Sequence, residues 1–563
     1  MPFRPLALAG LGLLLSSCAH LDRTSSAVNA IQAPALQAHM AFLADDRLAG
    51  RMTGTPGYDL AAAYVQSQFQ AIGLEPGMGQ SFLQQVPLLS GQLDIRASSL
   101  QIEGLRGRKA LRFREDFVLD AKLSAEKELI HAPLVFVGHG IVAPSLGHDD
   151  FAGVDVRGKI VVLFPRAPKT FPADERAFYS SGRLKAYTAA ERGAVGVITV
   201  RNQYSRSRYA WEDVAKNAGV EPTMRWTDAE GQPKDYEARI RGSAVLSDTL
   251  AEQVFAAGPH PLSQLLAAEE AGETLPRFAL PLRARLQTRT RISRLESPNV
   301  VARLPGTDPA LAGEHVVLVA HLDHLGHGEA VDGDPIYNGA YDNAMGVGLM
   351  LETARALKAM GTRRSVLFAA VTAEERGLLG SHYLAQKPPP KVEKMVAALT
   401  LDMPLLLFPM QEVIGFGAEH SNLGSYVRQA AQAEGMALAA DPMPNEVLFI
   451  RSDHYSFVRE GVPGLFFFPG FASADPAIDG SQLVFGHLAE HYHKPSDDLR
   501  RPVHWPSAER FARVNTRLAK AIADGQEAPH WAANNFFAAQ FAGQQPSSED
   551  ESSIRAPVHR LTY

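Results

Sequence analysis

Acidic and histidine residues stand directly after hydrophobic runs in the second half of the chain, and this pattern constrains the fold most. His321 ends the run VVLVAH, Glu374 and Glu375 follow VLFAAVTA, and Asp402 follows VAALTL. Each run has the length and the β-branched content of a buried strand. In open α/β sheets, ligands bind at the carboxyl ends of the strands. The pattern therefore predicts a functional site at that edge of a sheet.

Two further segments add residues of the same kind: YNGAYDNAMG contains Asp342, and EHYHKPSDD contains His493. Buried carboxylates and imidazoles are costly to desolvate unless something pairs with them, and a pair of divalent cations would do so. The chain has a single cysteine, Cys18, so neither an intramolecular disulfide nor cysteine ligation of a metal is expected. A donor set of histidine and carboxylate suits zinc, with cobalt or manganese as alternatives.

Two metal ions about 3.5–4 Å apart need about two terminal ligands each and one bridging carboxylate. The acidic and histidine residues at the predicted strand ends supply that number: His321, Asp342, Glu375, Asp402 and His493. Glu374, next to a ligand, remains free to act on a water molecule at the metals. Each motif alone is weak, because solvated turns often carry such residues. Their occurrence in order within one domain indicates a metallohydrolase.

From about residue 295 onward, predicted strands and helices alternate. The strands are Val316–Val319, Val366–Val371, Val396–Leu401 and Leu465–Phe468, and a helix spans about 344–360. An earlier helix runs through Leu60 and Ile72 and ends at Gly73. This alternation predicts an α/β fold with a doubly wound, mostly parallel sheet and helices on both faces.

Length and composition set broader limits. A chain of 563 residues is too long for one hydrophobic core, so we expect at least two domains. With 46% hydrophobic and 21% charged residues, the composition excludes a polytopic membrane protein. The formal net charge of −6 gives no reason to expect nucleic acid as a partner.

The N-terminus has the features of an export signal. MPFRPLALAGLGLLLSSC contains Arg4, an apolar run too short to span a bilayer, and small residues before Cys18. The end of this stretch resembles the lipobox of bacterial lipoproteins, which predicts a signal peptide over 1–18, lipidation of Cys18 and a spacer over 19–33. Ala19 then favours the outer membrane, facing the periplasm. The alternative is a plain signal peptide with an incidental cysteine.

Several segments together resemble the co-catalytic zinc aminopeptidase family, which includes bacterial secreted leucyl aminopeptidases and aminopeptidase Y. They are AHLDH, NGAYDNAMGVGLMLE, TAEERGLLGS, LDM, RSDHYSFVREGVPG and YHKPSDD. The resemblance extends from residue 35 to about 525 and includes LADDRLAGRMTGTPG. It implies the zinc peptidase fold, two zinc ions per chain, and the removal of N-terminal residues from peptide substrates.

The resemblance also assigns ligands. His321 and Asp402 would bind one zinc ion, and Glu375 and His493 would bind the other. Asp342 would bridge the two ions, and in the family the peptide bond after this residue is often cis.

Further roles follow from the same resemblance. Asp323 would orient His321 from outside the ligand set. Glu374 would be the general base, which takes a proton from water and passes it to the leaving amine. Tyr492 resembles the tyrosine that stabilises the tetrahedral oxyanion. The segment RSDHYSF contains Asp453 and His454, which are expected to shape the substrate pocket.

Residues 128–270 differ in character from the rest. GHGIVAP and VDVRGKIVVLF resemble a protease-associated domain, which implies a mainly-β insert with one or two helices and an exposed polar loop over 202–243. The peptidase domain would then comprise residues 34–127 and 285–525. Residues 526–563, which include QQPSSEDESS, are expected to form a loosely ordered C-terminal tail.

Other functions on this scaffold remain open from the sequence. A carboxypeptidase would need a basic residue, such as Arg451, for the free carboxylate of its substrate. A receptor-like binding protein would have lost ligands that are present here, and glutaminyl cyclases lack part of the set. The sequence determines neither the preferred N-terminal residue nor the oligomeric state.

Overall fold

The computed structural model describes residues 26–105, 110–216 and 218–543. The predicted signal peptide and Cys18 lie outside the described residues, and so does the chain from residue 544. The chain divides into two compact units: the first contains the described residues up to Val86 and from Ser297 onward, and the second contains Pro87–Glu296. Among the described residues, no helix combines the length and the apolar character needed to cross a membrane.

The strands are numbered in chain order. The first eleven are β1 (Glu75–Pro76), β2 (Leu83–Leu93), β3 (Ser99–Glu103), β4 (Phe117–Leu119), β5 (Lys127–Phe136), β6 (Val142–Ala143), β7 (His148–Asp149), β8 (Ile160–Leu163), β9 (Gly196–Val200), β10 (Thr223–Trp226) and β11 (Gly242–Leu246). The others are β12 (Phe278–Leu304), β13 (Glu314–His321), β14 (Gly326–Val331), β15 (Asp334–Tyr337), β16 (Ser365–Val371), β17 (Lys394–Leu401), β18 (Glu412–Phe416), β19 (Ala437–Ala439) and β20 (Gly464–Pro469).

The α-helices follow the same convention. Those up to the end of the second unit are α1 (Ala33–Leu43), α2 (Pro56–Ile72), α3 (Ala173–Tyr179), α4 (Gly182–Glu191), α5 (Gln203–Arg208), α6 (Trp211–Lys216), α7 (Asp248–Ala256) and α8 (Leu262–Ala271). The later ones are α9 (Gly346–Met360), α10 (Leu379–Gln386), α11 (Leu423–Ala433), α12 (His454–Val458), α13 (Gly480–Glu490), α14 (Trp505–Asp524) and α15 (Phe536–Phe541).

The first unit contains a mostly parallel sheet, as predicted. Its order is β19-β18-β20-β17-β13-β16, followed by residues 300–304 of β12. β13 is parallel to both β16 and β17, β17 is parallel to β20, and β18 is parallel to β19. Only the β18–β20 and β12–β16 pairs of this path are antiparallel. The four strands predicted from apolar runs are all confirmed.

Helices cover both faces of this sheet. Val316 and Leu318 of β13 pack into a core that also contains residues of α9 and α14. Val317 and Val319 point to the other face, where the core includes Leu384 of α10 and residues of α12. Because both faces are covered, every residue of β16 is buried. The predicted doubly wound arrangement is therefore confirmed.

Helix α2 shows how local sequence sets an element. The side chain of Thr55 accepts a hydrogen bond from the backbone N–H of Tyr58, and Pro56 occupies the first turn. Gly73 ends the helix with φ 81°, a left-handed conformation that glycine adopts without steric cost. The predicted end of this helix is confirmed.

The second unit is more helical than a mainly-β domain. Strands β5, β8, β9 and β11 form a parallel series, with β4 antiparallel to β11 and β12 antiparallel to both β5 and β3. Parallel neighbours need long crossover connections, and these contain helices such as α4 and α7. Residues 202–243, expected to be an exposed loop, contain α5, α6, β10 and the buried Trp226.

Two boundaries also differ from the expected ones. Residues 87–127 and 285–296 belong to the second unit, because β3 and β4 pair with its strands. In the expected loose tail, Phe537 and Phe541 are buried, and the indole N–H of Trp531 donates to the backbone carbonyl of Gly461 at 2.9 Å. Aromatic side chains thus pack residues 528–543 against the first unit. The polar segment QQPSSEDESS, on which the expectation of a loose tail was based, lies after these residues.

Candidate metal centre

The carboxyl ends of three neighbouring parallel strands meet at one edge of the first unit's sheet. β13 lies between β16 and β17, so the residues that follow these strands converge. His321 is the last residue of β13, Asp402 follows β17, and Glu374 and Glu375 lie three and four residues beyond β16. The sheet edge predicted from the sequence is where the structure brings these side chains together.

Asp342 reaches the same place from a turn that precedes α9. This turn spans Ala340–Met345, and its Asp342–Asn343 peptide bond is cis, as the family resemblance implies. The carboxylate of Asp497 accepts the backbone N–H groups of Tyr341 and Asp342, each at 3.0 Å. Gly339 starts the turn with φ 60°, and a Cβ there would lie 2.1 Å from the carbonyl oxygen of Asp342. Only glycine fits so close an approach.

Asp342 lies between two histidines and so separates the cluster into two halves. Its Oδ1 is 3.0 Å from Nε2 of His321, which is also 3.1 Å from Oδ1 of Asp402. Its Oδ2 is 3.3 Å from Nε2 of His493, which is also 3.2 Å from Oε2 of Glu375. These are the two pairs and the bridging position that the sequence suggests for two metal ions.

The spacing of these atoms fits zinc. Ligand atoms that share one tetrahedral zinc ion at about 2.0–2.1 Å lie about 3.3 Å from each other. The four contacts described above are between 3.0 and 3.3 Å. His321, Asp342 and Asp402 offer ligand atoms that all lie within 4.8 Å of one another, and a second such group also includes Asp342. The donor set of imidazole and carboxylate is the one that zinc accepts.

Three residues in or beside the cluster have a left-handed backbone. Ala373 has φ 55°, Met403 has φ 41° and His493 itself has φ 55°. Non-glycine residues adopt this conformation at a cost, and such residues concentrate at functional sites where the surroundings hold them. The sharp bends turn Glu374 and Glu375 toward the same space, although adjacent side chains on a regular strand would point apart.

Asp323, which is expected to orient His321, contacts both that histidine and the backbone of the glutamate pair. Its carboxylate accepts the backbone N–H of Glu374 at 3.1 Å and of Glu375 at 3.4 Å. Thr53 donates its hydroxyl to the same carboxylate at 3.2 Å. Nδ1 of His321 lies 3.0 Å from the backbone carbonyl oxygen of Asp323 instead of its carboxylate. The loop after β13 therefore orients His321 through its main chain.

The surroundings raise the pKa of both Glu374 and Tyr492. Burial raises the pKa of the Glu374 carboxyl well above its ordinary value, against the lowering effect of His321. The ring of Tyr492 stacks on that of His493, with centroids 3.8 Å apart. Burial also raises the pKa of Tyr492, so its hydroxyl keeps its proton and can donate a hydrogen bond.

Asp453 and His454 are both completely buried and do not line an open surface. Burial raises the pKa of Asp453 to about 7 and lowers that of His454 to about 3. The imidazole of His454 lies between the rings of Phe449 and Phe466, at centroid distances of 5.1 and 6.0 Å. These two residues can therefore influence a substrate pocket only indirectly, by supporting the residues that line it.

Comparison with known proteins finds a peptidase family that this part of the chain resembles. Residues 299–519 match the sequence profile of peptidase family M28. These residues contain every candidate ligand described above.

Two known aminopeptidases are similar to parts of this chain. Aminopeptidase YwaD of Bacillus subtilis is 40% identical over 89 residues, which are 16% of this chain and 18% of that protein. A probable leucine aminopeptidase 2 of Aspergillus fumigatus is 27% identical over 212 residues, or 36% and 39% of the two chains. The alignments thus cover less than half of the length of either relative.

A solved structure supports the same fold for the M28 segment and its surroundings. The aminopeptidase from Aneurinibacillus sp. strain AM-1 superposes with a TM-score of 0.50, at 19% identity, over 90% of this chain and 97% of that one. At this identity the likeness establishes the fold, a mixed α/β architecture with a large, mostly parallel sheet.

The structure adds residues around the M28 centre that the sequence analysis did not select. Nδ1 of His324 lies 2.8 Å from Oε1 of Glu375, and the hydroxyl of Ser452 donates to Oδ2 of Asp402 at 2.6 Å. His324 is buried and offers a ligand atom together with Asp342 and Glu375. The repeated histidine in HLDH was the available signal, since a second imidazole three residues after a ligand suggests a shared site.

Arg51 is the other addition, and it comes from the N-terminal segment outside the M28 profile. Its buried guanidinium donates to the backbone carbonyls of Leu43, Leu322, Asn338 and Gly339. It thereby joins the loop after β13 to the turn that leads into Asp342. Burial lowers the pKa of Arg51 to about 10, while nearby carboxylates, Asp342 first among them, oppose this effect.

Proposed function

We propose that the chain is a metal-dependent aminopeptidase that removes N-terminal residues from peptides with the help of two zinc ions. The position of Asp342 between His321 and His493 carries this proposal, because it provides a bridging carboxylate between two imidazoles. When bound, zinc ions supply Lewis acidity and lower the pKa of water. Zinc is supported by the donor set, and cobalt or manganese are alternatives.

The residues of the chain have distinct tasks in this proposal. His321 and Asp402 would hold one ion, Glu375 and His493 would hold the other, and Asp342 would be shared between them. Glu374 accepts a proton from the attacking water and delivers it to the leaving amine, a transfer for which a carboxyl with a raised pKa is suited.

The remaining tasks concern the developing negative charge and the position of the base. The Tyr492 hydroxyl donates a hydrogen bond to the tetrahedral oxyanion, which carries more charge than the carbonyl of the substrate. Asp323 fixes the backbone of Glu374 through its carboxylate. A base held in this way needs little reorganisation when the proton moves.

Aminopeptidase specificity is supported by relatives that carry this name. A carboxypeptidase on the same scaffold is not favoured. The arginine considered for that role, Arg451, has its guanidinium 3.7 Å from the carboxylate of Glu446.

A general-base test would use hydrolysis of an aminoacyl anilide. Glu374→Gln is expected to lower kcat by about 10²–10⁴-fold while the bound zinc per chain stays unchanged. The exposed Glu329→Gln is the matched control and is expected to retain activity. Full hydrolysis by Glu374→Gln would show that the base assignment is wrong.

Specificity needs a separate comparison between peptides with a free and with an acetylated N-terminus. We expect the free peptides to be cleaved and the acetylated ones to resist, because an aminopeptidase recognises the free amine. Equal rates would exclude aminopeptidase specificity while leaving the metal-dependent hydrolysis in place.

The cellular setting is part of the same proposal. The lipobox-like end of the signal peptide supports export and lipidation at Cys18, with the protein on the outer membrane facing the periplasm. GHGIVAP and VDVRGKIVVLF support a protease-associated character for the second unit. Fractionation of cells that express Cys18→Ala would test the anchor: the variant should leave the membrane fraction, and its retention there would contradict lipidation.

A further inference from the structure

An exposed array of positive charge runs along one strand of the second unit. Residues 283–294 have the sequence RARLQTRTRISR, and the side chains of β12 alternate between the core and solvent. Leu282, Ala284 and Leu286 point inward and are buried. The outward residues include Arg283, Arg285, Arg289 and Arg291, all exposed.

The neighbouring strand adds to this charge. Lys127 of β5 is exposed and lies directly opposite Arg289 in the antiparallel register, and His131 lies opposite Arg285. Like charges directly opposite each other destabilise a strand pair. We name the exposed side chains of Lys127, Arg283, Arg285, Arg289 and Arg291 the basic face.

The basic face lacks carboxylate partners. Within the described parts of the chain, no ion pair involves any of its five residues. The acidic residue opposite Arg283 is Glu103, and its carboxylate is 2.9 Å from the imidazole of His131. Other exposed arginines of the same unit are paired, such as Arg157 with Asp155 at 3.0 Å.

The spacing of the charges lets them act together on an external anion. Outward residues at positions i and i+2 of a strand are about 6.8 Å apart, so the array from Arg283 to Arg291 is about 27 Å long. The steps from Arg283 to Arg285 and from Arg289 to Arg291 are shorter than the Debye length of about 8 Å at physiological ionic strength, whereas the step from Arg285 to Arg289 passes Gln287 and is about 14 Å. The potentials of the two cations within each pair therefore overlap above the sheet.

The composition of the face narrows the class of partner. Guanidinium groups bind phosphate with a matching planar geometry. Among the described residues, the imidazole of His131 is the one aromatic ring directly opposite an arginine of this face, and other outward partners of β12, such as Gln101 and Pro133, offer no ring on which a nucleobase could stack. An extended row of cations on a sheet suits a broad anionic surface.

We propose that the basic face binds the surface of a membrane that contains anionic phospholipids. The cations contact lipid phosphates without inserting apolar side chains, so attachment is electrostatic and reversible. This binding is independent of the proposed peptidase activity, because the face and the metal centre belong to different units.

Co-sedimentation of the full chain with lipid vesicles tests the proposal. Vesicles of phosphatidylcholine with about 30% phosphatidylglycerol would be compared with pure phosphatidylcholine, and Cys18→Ala would be present in every protein so that no lipid anchor contributes. We expect binding only to the anionic vesicles, with a steep loss as salt rises from about 50 to 500 mM.

Variants then locate the binding surface. Arg285→Gln/Arg289→Gln/Arg291→Gln is expected to weaken binding on the order of a hundredfold, from three lost surface cations. The control Arg112→Gln/Arg157→Gln/Arg239→Gln removes the same charge from ion-paired, exposed arginines of the same unit and should bind like the parent. The single variant Arg289→Glu should also lose binding to the anionic vesicles, and it changes only one residue of the strand instead of three.

Several outcomes would overturn the proposal. The first is an equal loss of binding in the control variant, the second is unchanged binding by both basic-face variants, and the third is equal binding of the parent to neutral vesicles. Retained hydrolysis of an aminoacyl anilide by the basic-face variants would show that a loss of vesicle binding does not reflect unfolding.

Discussion

Nδ1 of His324 lies 2.8 Å from Oε1 of Glu375, whereas Oε2 of the same carboxylate lies 3.2 Å from Nε2 of His493. The shorter distance is that of a charge-assisted hydrogen bond, and the longer one matches two ligands of one metal ion. Nδ1 of His324 is 3.9 Å from Oδ2 of Asp342, too far for a hydrogen bond. We therefore infer that His324 holds one oxygen of Glu375 and leaves the other directed toward the metal.

His324→Ala is predicted to weaken zinc binding at the half of the centre that contains Glu375. A lost partner of this kind costs about 10–100-fold in metal affinity. Competition with a chromophoric chelator would measure the affinity of each zinc ion separately. His327→Ala, an exposed histidine three residues later, is the matched control. Equal affinity in His324→Ala and the parent would contradict this role.

Arg51→Gln is predicted to lower the free energy of unfolding by about 3–5 kcal/mol. The substitution leaves buried carbonyls without donors and removes a buried cation beside several carboxylates. Arg47→Gln in the same segment is the control, because the Arg47 side chain is 78% exposed and its ion pair with Asp45 contributes at most about 1 kcal/mol. Urea unfolding would compare the two, and similar values would show that the Arg51 contacts are not stabilising.

Removal of metal is predicted to abolish hydrolysis and to lower the unfolding temperature. The carboxylates of Asp342, Glu375 and Asp402 then lose the cations that compensate their burial. At free zinc about 1,000 times the dissociation constant, bound metal adds about 4 kcal/mol of stability. Calorimetry of the chelated protein, before and after readdition of zinc, would measure the shift. An unfolding temperature that does not respond to zinc would argue against a metal centre here.

His315 provides a prediction about pH that does not depend on the metal centre. Its Nε2 is 3.1 Å from the Nε of Arg303, which donates to it, and its Nδ1 donates to the carbonyl of Gly313 at 3.0 Å. Burial lowers the pKa of His315 to about 4, and Arg303 adds to the effect. Between pH 6.5 and 4 the unfolded chain therefore binds a proton here that the folded chain does not.

The contribution of this site to stability is complete above pH 6.5 and is lost as the pH falls toward 4. The full loss amounts to about 3 kcal/mol. His315→Gln keeps a hydrogen-bonding side chain but does not titrate, so its unfolding free energy should depend less steeply on pH in this range. Identical slopes in urea unfolding at pH 4, 5 and 6.5 would contradict the prediction.

The sequence by itself determined the sheet of the first unit and which residues gather in the candidate metal centre at its edge. Apolar runs such as Val366–Val371 are long enough and sufficiently β-branched to predict buried strands. Parallel strands share one carboxyl edge, so the residues after them had to meet. For this reason His321, Glu375 and Asp402 could be chosen before their distances were known, whereas Asp342 and His493 follow no predicted strand and were chosen from their residue type and from the family resemblance.

Tertiary structure decided which groups support the cluster and where the units divide. Arg51 lies far from the other site residues in sequence, and its partners are backbone carbonyls, which no side-chain pattern reveals. Asp323 contacts His321 through its backbone carbonyl and the backbone of Glu374 through its carboxylate, and the sequence does not reveal that one residue makes both contacts.

In the second unit, too, the sequence indicates the elements but not their partners. Strand β12 has alternating polar and apolar residues, which predicts a strand but does not identify its partners. Its pairing with β3 and β5 decides that residues 87–127 belong to the second unit and that Lys127 faces Arg289. Local periodicity thus sets which elements form, whereas register and long-range backbone contacts, which depend on the packed chain, decide what each side chain touches.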